Sequence, residues 1–156
     1  MREKVLRDFF RGTVSGTELA RDVAGATKQT SQVTSVTSVE DMDEEFVVTA
    51  EMAVRLCDAV LQGELPAHNL ATIGFALMAS DKFCWDSDTD DVLTNVISDW
   101  SCPEINYPLT LDNVARFRAW LLRAEPYPEK PQAAQTAGKI MSFREKKSVR
   151  PWWKRR

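Results

Sequence analysis

The stretch that most constrains the fold runs from Thr49 to Ala79. Thr49 suits a helix N-cap, and Gly63 stands where a helix that has run past its last turn favours glycine. Between them Met52, Leu56, Cys57, Val60 and Leu61 recur at helical spacing and predict one buried stripe. Pro66 then fits the first turn of a second helix, where a missing N–H is harmless. That helix, over about residues 67–79, is apolar nearly all round, with Leu70, Ile73, Phe75, Leu77 and Met78. It is expected at the centre of the molecule, packed on several sides, with Ala71, Gly74, Ala76 and Ala79 letting neighbours come close.

The flanking segments extend the same pattern. Residues 2–11 place Val5, Leu6, Phe9 and Phe10 at helical spacing, and Gly12 ends the run. Ser15 with Glu18 three residues on forms a capping box for a helix that turns Leu19 and Val23 inward and softens at Gly25. A helix over about 89–100 is expected to bury Val92, Leu93, Val96, Ile97 and Trp100. A last one, starting at Thr110, buries Val114, Phe117 and Leu121 and runs to Arg123. Residues 26–39 are rich in Ser and Thr, with Val33, Val36 and Val39 at every third position. That spacing matches neither a strand nor a helical stripe, so a solvated connection with at most one irregular turn is expected. The reading is an all-α, compact antiparallel bundle of five to six helices over residues 1–123. Residues 124–156, broken by Pro126, Pro128 and Pro131, read as a basic tail without stable order.

With 156 residues and 44% hydrophobic content the chain is expected to form one domain, with no need of metal or disulfide. Its net charge of −3 conceals a division. Residues 124–156 hold nine Lys/Arg against three Glu, a net +6, which leaves the other 123 residues at −9. An acidic body selects basic partners. The N-terminus has no uninterrupted apolar core of a secretory signal, and the longest apolar stretch, Leu70 to Ala79, is too short for a bilayer. Three cysteines without paired spacing point to reduced thiols in a cytoplasmic protein, with Cys57 a small core hydrophobe. His68, the single histidine, leaves a zinc site or a Cys–His pair without partners.

The chemistry concentrates in Phe83 to Thr110, where Asp86, Asp88, Asp90 and Asp91 crowd into six residues after Trp85. Asp86, Asp88 and Asp90 fit the first three ligand positions of an EF-hand loop. Asp91 then replaces the turn glycine and Ile97 the bidentate glutamate, so no metal or other cofactor is expected. Helix capping accounts for one or two of these carboxylates, and a basic partner accounts for the rest. The candidate partner-binding residues are Trp85, Asp86, Asp88, Asp90 and Asp91, with Trp85 either an interface anchor or a core lid. The acidic run Glu40, Asp41, Asp43, Glu44, Glu45 reads as a solvated face. No nucleophile elbow, P-loop, HExxH or dinucleotide fingerprint occurs, so an enzyme is not expected. Near the end, Trp152 and Trp153 among basic residues could stack on nucleic-acid bases or lie at a membrane surface, and the tail could also bind the acidic loop.

The segment VLRDFFRGTVSGTELARDV, an apolar-aromatic helix, a glycine and a Ser-capped second helix, resembles the helical immunity proteins of the colicin D type. The resemblance covers about residues 4–23. It implies an all-α fold, no catalysis, and an acidic surface that occupies the RNA-binding face of a basic, tRNA-cleaving toxin nuclease domain. An immunity-type antitoxin is therefore the first expectation. The competing one is a non-enzymatic adaptor or regulatory module that acts through its basic tail.

Overall fold

Caps decide where the helices start. In the computed structural model, which describes residues 1–30, 35–87 and 90–129, α1 spans Glu3–Phe10 and α2 spans Gly16–Val23. The Ser15 hydroxyl accepts from the Glu18 N–H while the Glu18 carboxylate accepts from the Ser15 N–H, the reciprocal box expected from the sequence. These hydrogen bonds, from the Ser15 backbone first, hold the Glu18 carboxyl below its ordinary pKa. Thr49 caps α3 (Ala50–Leu61) through the Met52 N–H, and Gly63, at φ +78°, follows its end. The helix α4 covers Asn69–Ala79, α5 covers Asp91–Ser101, and α6, capped by Thr110, covers Leu111–Leu121.

Among the described residues four short strands interrupt this helical order, and they correct the all-α expectation. Residues 26–39 are not a bare connection: β1 (Thr27–Gln29) pairs antiparallel with β2 (Ser35–Thr37), Thr27 opposite Thr37. β-Branched residues favour extended backbone. The pair is fastened by the Thr27 and Thr37 hydroxyls, 2.9 Å apart, and by the Ser38 N–H donating to the Ala26 carbonyl. The strands β3 (Phe46–Val47) and β4 (Phe83–Cys84) form a parallel ladder, Phe46 beside Phe83. Its anchor is aromatic. Phe10, Phe46 and Phe83 stand 6.1–6.3 Å apart, which ties α1 to both strands. The result is a largely helical fold with two small ladders, not a plain antiparallel bundle.

The core is built where α4 packs on α5 and α3 on α6. Leu56, Leu70, Ile73, Leu77, Leu93 and Ile97 are fully buried. Trp100 meets Phe117 edge-on at 6.2 Å. Gly74 lets α4 approach α5, because a Cβ there would lie 2.8 Å from both the Ser101 nitrogen and the Trp100 Cβ. The central helix is less enclosed than its composition predicts, since Phe75 and Met78 are exposed and Leu61 of α3 likewise turns outward. Asn69 and Thr72 take the inward side of α4 instead. Val92 is only half-buried, and α5 begins two residues later than expected. Packing continues past Arg123. Tyr127 lies edge-on to Trp120 at 5.0 Å, and its phenol donates to the fully buried Asp99 at 2.7 Å. The rest of the expected tail, residues 130–156, lies outside the described residues.

Candidate partner-binding surface

The acidic loop is set by the ladder before it and the helix after it. As β4 ends, Trp85 turns half inward, and its indole N–H donates to the Thr94 hydroxyl at 3.0 Å. Thr94 in turn donates to the Asp90 carbonyl at 3.3 Å, and the Asp90 N–H closes the loop onto the Asp86 carbonyl at 3.0 Å. Trp85 thus links the strand to α5, with part of its ring still exposed.

The described aspartates of the loop do not share one role. Asp90 caps α5: its Oδ1 accepts from the Leu93 N–H at 2.9 Å and from Arg123 Nη2 at 2.7 Å. Arg123 reaches it from the residue after the C-cap of α6, at φ +58°. The sequence assigns capping to one or two of the four aspartates without saying which, and carries no sign of a cationic partner 33 positions away. Asp91, in the first turn of α5, is exposed, and so is Asp86. Asp88 lies outside the described residues. Carboxylates at a helix N-terminus are favoured by the macrodipole, which eases the crowding of Asp90 and Asp91.

The loop has a companion. Asp41, Asp43, Glu44 and Glu45 are all exposed and lead directly into β3, whose neighbour β4 leads out into Trp85 and Asp86. The two acidic stretches therefore flank opposite ends of one short ladder, about four residues or ~13 Å apart at ~3.3 Å per residue. Glu44 is partly neutralised by Arg7 and by Arg11 at 3.6 Å. Within the body, Glu3 is the carboxylate that the sequence gives least reason to expect inside. It is 1% exposed and accepts from the Met42 N–H at 2.9 Å, which fixes the start of the acidic run against α1.

Two other ionisable groups are shaped by burial. The Cys57 thiol is pushed far up by loss of solvent, with Asp58 adding to the effect. The Tyr127 phenol is raised by burial first and then by its hydrogen bond to Asp99. Among the described residues no three His, Cys, Asp or Glu side chains gather as a metal site, and no helix is long and apolar enough to cross a membrane. No protein-family model, curated protein or solved structure matches this chain.

Proposed function

We infer that the protein is a non-catalytic, immunity-type module that binds a basic protein, of the class of a toxin nuclease domain, through Trp85, Asp86, Asp88, Asp91 and the neighbouring 41–45 run. The observation that carries this reading is the division of labour in the loop. Asp90 serves as cap and ion-pair partner, while Asp86 and Asp91 are exposed and Trp85 is half-exposed. Like charges held outward in this number oppose folding, and a cationic surface converts them into steering and specificity. Trp85 supplies the aromatic area that protein interfaces favour at their centre. The segment that carries the resemblance, residues 4–23, covers most of α1 and the Ser15-capped α2.

The gene beside this one provides the test. Its product should be a basic nuclease whose RNA cleavage stops with one equivalent of this chain, and Asp86→Asn with Asp91→Asn should slow association. A neighbouring product that is neither basic nor retained on the immobilised chain in low salt sinks the proposal.

A further inference from the structure

The last described residues form part of a groove on α5. Asp91, Val92 and Asn95, which share one side of that helix, line about 350 Å³ together with Tyr127, Pro128 and Glu129. The strap that carries the last three is firmly held. Its Tyr127 phenol donates to the buried Asp99, and the ring lies edge-on to Trp120. Pro128 is exposed and Val92 half-buried, so apolar surface stays open in the lining. Asp91 and Glu129 are exposed carboxylates in the same lining, and among the described residues neither enters an ion pair. Apolar surface between two such carboxylates suits a basic segment that also carries an aromatic ring.

This chain supplies such a segment, and the segment sets out from the groove. Glu129 is the last described residue, and residues 130–156 hold nine Lys/Arg against one Glu, closing on Arg-Pro-Trp-Trp-Lys-Arg-Arg. At ~3.3–3.6 Å each, the 20 residues 130–149 span up to ~70 Å, so reach sets no limit. Covalent linkage raises the local concentration, and contacts too weak to hold a separate peptide are then enough. The tail of a second copy would bring its own body of −9 against this one, which like charge opposes. We propose that residues 150–156 dock in this groove within the same chain. Trp152 or Trp153 lies on the Val92, Tyr127 and Pro128 surface, and the basic side chains meet Asp91 and Glu129. The tail then covers Asp91, and a basic partner must displace it. That consequence rests on the acidic loop's being the partner surface; the docking itself does not.

The full chain, isotopically labelled and in low salt, provides the test by nuclear magnetic resonance. Nuclear Overhauser contacts from the indole of Trp152 or Trp153 to the Val92 methyls are expected, unchanged on dilution. Trp152→Ala with Trp153→Ala keeps the charge of the tail. It should shift the amides of Asp91, Val92, Asn95 and Tyr127 while leaving those of α3 in place. Glu129→Lys, at an exposed position outside the proposed partner surface, should weaken the same indole contacts from the body side. No indole contact with α5, or a contact that fades on dilution because a second copy makes it, overturns the proposal. A decalysine peptide then tests displacement, and the double-alanine chain should bind it several-fold more tightly. Equal affinity with the indole contacts present upholds the docking and sinks the displacement alone.

Discussion

Asp90 and Asp91 are adjacent, equally acidic and differently employed. Asp90→Ala removes a cap bond and the Arg123 pair together. It should cost about 1–2 kcal/mol in chemical denaturation, near the top of the range for lost caps. Asp91→Asn should stay within about 0.5 kcal/mol, since the side chain is exposed, while association with a basic partner slows. Equal destabilisation by both changes, with binding untouched, would make the loop architecture and nothing more. Cys57 leads to a pH prediction. Its folded-state pKa is raised, so the stability it contributes is complete below the unfolded value of about 8.5 and is lost as pH rises above it. Unfolding free energy should fall by about 1.4 kcal/mol per pH unit above ~8.5. Tyr127, raised in the same sense, steepens the decline above ~10. Denaturant midpoints read at several alkaline pH values check this, and Cys57→Ala should flatten the first part of the slope.

Gly74 lies in α4 against the backbone of α5. In an open helix, alanine for glycine gains up to about 1 kcal/mol. Here the added Cβ meets Ser101 N and Trp100 Cβ at 2.8 Å, and neither is the end of a flexible chain. Gly74→Ala should therefore destabilise by about 1–3 kcal/mol, as overpacking does, and a rise in melting temperature would show that α4 and α5 slide apart freely. The helices themselves were legible because their signals are local: Ser15 with Glu18, Thr49 with Gly63, and Thr110 all lie within a turn of what they cap. The strands were not. Thr27 needs Thr37, and Phe46 needs Phe83, before either segment has a reason to be extended, and runs of two or three residues carry no period of their own. The outward turn of Leu61, Phe75 and Met78 was hidden for a related reason: composition states how apolar a helix is, not how many neighbours reach it.

Across the whole molecule, the −9 of residues 1–123 predicts that any basic partner arrives under electrostatic steering. The association rate should drop steeply between 0.05 and 0.5 M salt, roughly, while dissociation changes little, and stopped-flow mixing separates the two. A rate indifferent to salt would place the interface elsewhere, on the exposed apolar side chains of α4 for instance. The candidate loop was legible as a cluster of charge. Its division was not, because Arg123 comes from the far end of α6 and Asp41–Glu45 from before β3.

The ladder of β3 and β4 also has a kinetic consequence. Phe46 N–H donates to the Lys82 carbonyl and Val48 N–H to the Cys84 carbonyl, both at 2.8 Å, so two strands that bracket α3 and α4 are joined directly. Closing a loop of that length costs chain entropy before the ladder returns any, and two residue pairs return little. The closure then waits on the helices that it encloses, and the acidic loop takes its place only once that ring is shut. In pulse-labelled refolding, the amides of Phe46 and Val48 should gain protection after those of α3 and α4, as the clock of the last step.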